Sequence, residues 1–102
     1  MKILKKEPRG NFEEKDIPNT LEALQGEVGG YIEALTFAPD ACFIVNEEGL
    51  IKALPFNFSA LGHFLFGNVL LVGVSGDEFC DVPESAVKLV TKMLGGDGDD
   101  GE

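Results

Sequence analysis

Apolar positions recur along this chain at two different spacings, and the spacing separates strands from helices. Tyr31 to Phe37, Ala41 to Val45 and Leu50 to Leu54 are short runs rich in aromatic and branched side chains, broken by Pro39-Asp40 and by Asn46-Glu47-Glu48-Gly49. They predict successive antiparallel strands, with Gly49 supplying the positive φ of a short hairpin loop. Val69 to Val74 is the most apolar run and predicts a buried strand. Leu21, Leu24 and Val28 recur instead at helical spacing. Ahead of them Asn19 is placed to cap a helix with Glu22 reaching back to it, and Gly29-Gly30 ends the pattern with a left-handed residue. Ala86, Val87, Leu89, Val90, Met93 and Leu94 form the apolar side of a second helix. Asp81-Val82-Pro83-Glu84 opens it, with Asp81 as the expected cap and Glu84 at the capping-box position. At the start of the chain, Lys2 to Glu7 and Asn11 to Ile17 flank Pro8-Arg9-Gly10 and predict a heavily charged edge hairpin.

Together these elements predict an α+β domain: an antiparallel sheet of five or six strands with two helices, in the order ββαββββα. Residues 1–94 make that single domain, and 95–102, GGDGDDGE, read as a flexible acidic tail with nothing to bury. A chain of 102 residues has room for one hydrophobic core.

The apolar runs raise a question of cover. Ala41 to Val45 and Val69 to Val74 are apolar on both faces, so their sheet needs material on both sides. From Ala53 to Gly76 no Asp, Glu, Lys or Arg occurs for 24 residues. Pro55, Asn57, Gly62, His63, Gly67, Asn68 and Gly73 interrupt that stretch, which argues against a membrane helix. Phe56, Phe58, Phe64 and Phe66 fall here in pairs spaced by two, the period of a strand. The segment either folds back as the missing cover or forms an interface, for which a second copy of the chain is the simplest partner.

Eight Lys and Arg against 18 Asp and Glu give a net charge of −10, which disfavours tracking a nucleic-acid backbone. Removing the tail's four acids leaves about −6 on the body, an ordinary value for a small domain. Between Asp16 and Ile51 there is no Lys or Arg but there are seven acids, so an acidic decoy for a DNA-binding protein is a second expectation. Two cysteines, Cys42 and Cys80, and no apolar run behind the basic start point to a cytoplasmic protein with free thiols.

Catalytic signatures are sparse. The lone His63 sits among Ala60, Leu61, Phe64 and Leu65, with no nucleophile elbow or acidic orienter beside it, so a Cys80 or Cys42 hydrolase is only a third reading. Asp77, Glu78 and Asp81 read as a turn and a cap before they read as a cation site. The tail acids evoke a calcium loop but lack its bidentate Glu. Gly26, Gly29 and Gly30 lack the Lys and Ser/Thr of a phosphate loop. No metal and no cofactor is called for.

The strings NTLEALQGEVGGYIEAL at 19–35, NEEG at 46–49, ALP followed by Asn57 at 53–57, and GNVLLVGVSGDEFCDV at 67–82 carry a resemblance. In that ordered series the chain resembles an uncharacterised small-protein family of phages and mobile elements of Gram-positive bacteria, catalogued as domain of unknown function family 3846. The resemblance implies a phage or mobile-element accessory protein and brings no catalytic residues with it. Where the resemblance implies a basic residue beside Asn57 and a polar loop before the apolar strand, this chain has Phe58 and then SALGHFLF.

The leading expectation is therefore a non-enzymatic, self-associating accessory protein that acts by binding. Its pocket is expected around the Phe-rich segment, with Asn46, Asn57 and Asn68 as polar groups and Phe56, Phe58, Phe64 and Phe66 at the interface. Its ligand is expected to be a host protein or a small molecule such as a defence nucleotide signal.

Overall fold

A computed structural model describes residues 1–94, and the expected tail at 95–102 lies outside the described residues. Its strands are β1 (Lys2–Lys6), β2 (Glu13–Asp16), β3 (Ile32–Ala38), β4 (Ala41–Asn46), β5 (Phe56–Ala60), β6 (His63–Phe66), β7 (Val69–Ser75) and β8 (Glu78–Cys80). Helix α1 (Leu21–Val28) follows β2, and α2 (Glu84–Met93) follows β8. The fold is α+β, with an antiparallel six-stranded sheet in the spatial order β2-β1-β7-β4-β3, β8 pairing with the far end of β7. Strands β5 and β6 form a separate hairpin.

The two-sided strands are covered as their composition demands. Alternation along β4 and β7 sends Phe43, Val45, Val69 and Leu71 to one face, and Cys42, Ile44, Leu70 and Val72 to the other. The second face packs under Leu24 and Val28 of α1, joined by Ile3 and Ile17. The first packs under Ala86 and Val90 of α2 together with Phe58, Ala60 and Leu65 of the β5–β6 hairpin. One helix to each face is too little for this sheet, and the Phe-rich segment supplies the remaining cover. Phe43, fully buried, is the hub: its ring lies 4.7 Å from Phe37, 5.7 Å from Phe58 and 6.4 Å from Phe12.

Several local expectations are corrected. The run Leu50 to Leu54 is not a strand but a compact turn, closed by hydrogen bonds from Lys52 N to Glu48 O and from Leu54 N to Gly49 O. Its origin is Asn46, whose Oδ1 accepts from the Glu48 amide and turns the chain before a ladder can form. Leu50 and Ile51 are left 71% and 83% exposed at its tip. Helix α1 is capped by Thr20, which accepts from Ala23 N, so Glu22 falls one position short of a capping box. Asn19 instead donates to Phe79 O. Helix α2 begins after Pro83 without a side-chain cap, and Asp81 accepts from the Lys2 amide, latching β8 to the start of β1. Close approach of Asp81 to β7 requires Gly73, because a Cβ at that position would collide with Asp81 O.

The hairpin departs from simple alternation. Phe56 pairs with Phe66 and Phe58 with Leu65, so Asn57 is an extra residue on β5. That bulge turns Asn57 and Phe58 inward together and leaves Phe56 outward.

Candidate interaction surface

Strand β3 ends the hydrogen-bonded order of the sheet. Glu47 N donates to Tyr31 O, and in a regular antiparallel ladder the residues bonded to the neighbour alternate. Glu33 and Leu35 therefore bond towards β4, while the backbone groups of Ile32, Ala34 and Thr36 face outward. Along its seven residues the strand carries one charge, Glu33, and no Lys or Pro. Such an edge lacks the lysine and proline that commonly discourage strand pairing, and its one irregularity in register falls near its end, between Thr36 and Ala38.

Beside this edge, on the α2 face, lies a cleft of about 140 Å³. Leu35, Val45 and Leu65 contribute its apolar lining, and Phe64, Leu50 and Glu33 border it. The outward aromatics of the hairpin adjoin it: Phe56 lies 6.2 Å from Phe64 and 5.9 Å from Phe66, with Phe56 52% and Phe64 74% exposed. Of the four Phe residues expected at an interface, three thus form one outward group. Phe58 is the correction: it is buried, edge-on to Phe43 and Phe12, and belongs to the core.

The three asparagines do not converge on a pocket, and this too is a correction. Asn46 Nδ2 donates to Val28 O and Asn68 Nδ2 to Glu27 O, so both satisfy carbonyls left unpaired at the C-terminal end of α1. Asn57 Nδ2 donates to Lys6 O and Gly67 O, and its Oδ1 accepts from Lys6 Nζ. The side-chain amides of Asn46 and Asn57 are committed to the fold at both ends, and that of Asn68 through its Nδ2. Of the three, Asn46 alone borders the cleft.

The nucleophile candidates are likewise dispersed. Cys42 is buried under α1, which pushes its thiol up to about 11, whereas His63 borders the cleft on the opposite face. Cys80 lies beside Met1, Asn19 and Asp81. Both cysteines are free, and among the described residues no group of three His, Cys, Asp or Glu side chains is placed to hold a metal ion. No helix among the described residues is long and apolar enough to cross a membrane.

The acids between Asp16 and Ile51 do not make one face. Asp16 is on β2 and Glu33 on β3, at opposite edges of the sheet, and Glu27 receives both Lys5 and Lys15 at 2.9 Å. Burial pushes the Glu27 carboxyl up, but hydrogen bonds from Lys5 and Lys15 and their charges outweigh it and leave its pKa lowered.

No curated protein and no solved structure matches the chain. The family described as "Domain of unknown function (DUF3846)" matches residues 1–95, and the chain belongs to that family.

Proposed function

We propose that this protein acts by binding rather than by catalysis, as a self-associating accessory protein of a phage or mobile element, and that two copies join through β3. The observation that carries the reading is the outer edge of β3, regular from Ile32 to Thr36 and free of Lys and Pro, with exposed Phe56, Phe64 and Leu50 beside it. Antiparallel pairing about Ala34 sets Glu33 opposite Leu35 of the partner subunit, so the one charge on the strand does not meet its own copy. Joining outward backbone groups extends the sheet across the two-fold axis, and apolar side chains beside the joint lose contact with water.

Sedimentation velocity at tens of micromolar tests this. The parent is expected as a dimer. Ala34→Lys with Thr36→Lys, both at exposed positions, gives β3 a charged edge and is expected to yield a folded monomer, with dimer affinity lowered at least tenfold, about 1.4 kcal/mol. A monomeric parent, or a dimer indifferent to both lysines, rejects the β3 joint.

A further inference from the structure

The alternation that puts Leu4 of β1 on the α2 face puts Lys6 there as well, at a position where an apolar side chain is expected. Lys6 is only 9% exposed. Its ammonium donates to Asn57 Oδ1 at 2.6 Å and lies 5.5 Å from the centre of the Phe58 ring. Asn57 is neutral, and the lysines that meet carboxylates within 4.0 Å among the described residues are Lys5, Lys15 and Lys52. A buried ammonium without a counter-charge is costly, and burial lowers the Lys6 pKa from its ordinary value. An ammonium has three donors, and Asn57 Oδ1 accepts from one of them.

Lys6 also lines a cavity of about 310 Å³ together with Asn11, Phe12, Val90, Thr91 and Leu94. Phe12, Val90 and Leu94 are apolar, and Thr91 Oγ1 already donates to Val87 O. The volume lies at the lower end of the range of small-molecule sites. The chain is strongly acidic, so a cation with no carboxylate partner among the described residues, in a largely apolar recess, offers an anion a local exception to the prevailing field.

We propose that this cavity binds a small carboxylate with an apolar body, the carboxylate accepting from Lys6 Nζ and the hydrocarbon portion lying against Phe12, Val90 and Leu94. The ligand supplies a counter-charge that Lys6 does not find among the described residues, and the cavity desolvates its apolar part. A phosphorylated nucleotide fits less well, because one lysine is a small counter-charge for several anionic oxygens. The site is independent of the β3 joint: β1 is separated from β3 by β7 and β4.

Octanoate is the probe, titrated into the ¹⁵N-labelled full chain at pH 7, with 1-octanol as its neutral counterpart. Saturable shifts at Lys6, Phe12, Val90 and Leu94 are expected with octanoate, and octanol should bind at least tenfold more weakly, as loss of a charge-assisted hydrogen bond predicts to within about a factor of ten. Lys6→Met keeps the apolar stem and should reduce octanoate affinity by a similar factor while the spectrum stays folded. If Lys6→Met does not fold, octanoate at pH 7 against pH 11 replaces it, affinity falling as the ammonium is neutralised. Equal binding of octanol and octanoate, or no saturable shift at millimolar octanoate, overturns the proposal. So does octanoate binding that arises only when Asp97, Asp99, Asp100 and Glu102 are changed to their amides, which assigns the Lys6 counter-charge to the chain's own carboxylates.

Discussion

The two edges of the sheet are built on opposite plans. At one, β2 is four residues long, reads Glu-Glu-Lys-Asp and is exposed throughout. At the other, β3 is seven residues long and reads Ile-Glu-Ala-Leu-Thr-Phe-Ala. Both present free backbone groups on their outer side, so backbone chemistry does not distinguish them. Side chains do: a second strand arriving at β2 must desolvate charges at every step, whereas at β3 it meets one carboxylate and several apolar side chains. Edge chemistry in this protein thus opposes strand pairing at β2 more than at β3. A joint at a single edge closes as a dimer, while joints at both edges propagate without end.

The largest effect is expected where the flank of β3 is anchored. Phe58 holds the β5–β6 hairpin against Phe43 and Phe12, and Phe58→Ala should cost about 3–5 kcal/mol in urea unfolding. Phe64, on the outward side of the same hairpin, should cost about 0.5 kcal/mol or less when changed to Ala in the monomeric β3-lysine background. Equal costs at the two positions would show that the hairpin is not anchored through Phe58. The flank of β3 would then not be the ordered surface the comparison assumes.

A second change abolishes the difference between the edges. With Glu13, Glu14 and Asp16 replaced by Thr, β2 keeps Lys15 and its pairing with β1 but loses most of its protective charge. Light scattering should then report masses that climb beyond a dimer with concentration, and β3 lysines in the same chain should return it to a closed size. Unchanged mass in the threonine variant would mean that strand length or twist, and not charge, protects β2.

Much of this arrangement is legible in the sequence. The charged first hairpin, the two-sided strands β4 and β7, the apolar β3 and both helices follow from spacing and composition, and the need for cover on two faces points to the Phe-rich segment. The rest escapes for identifiable reasons. Leu50 to Leu54 has the composition of a strand, but the Asn46 side chain diverts the backbone, a competition that periodicity does not register. The hairpin turn is Leu61-Gly62, with φ of 57° and 77°, and a leucine at the first left-handed position hides the usual turn signal. The inserted Asn57 reverses the expected partnership of Phe56 and Phe58. The asparagines were legible as polar groups within an uncharged stretch; that they are consumed by carbonyls of α1 and β1 depends on tertiary placement. Lys6 is visible as one lysine in a charged strand, and only the placement of the β5–β6 hairpin and α2 around it makes it a buried cation.

The smallest effect concerns how the charged edge is held. Glu27 of α1 draws in Lys5 of β1 and Lys15 of β2, so charge both protects this edge and ties it to the helix above. Exposed pairs contribute from about 0 to 1 kcal/mol, and these are partly shielded from water, so Glu27→Gln should cost about 1 kcal/mol at pH 7. The sign with pH follows from the lowered pKa. The unfolded carboxyl titrates near its ordinary value of 4.5 and the folded one below it, so the pairing contributes fully above the unfolded value and is lost as pH falls through the folded one. Urea unfolding of parent and Glu27→Gln should therefore differ at neutral pH and converge in acid below both values. A gap that persists there would assign Glu27 a packing role. The tie between the charged edge and α1 would then be steric, and β2 would be distinguished from β3 by its exposed charges alone.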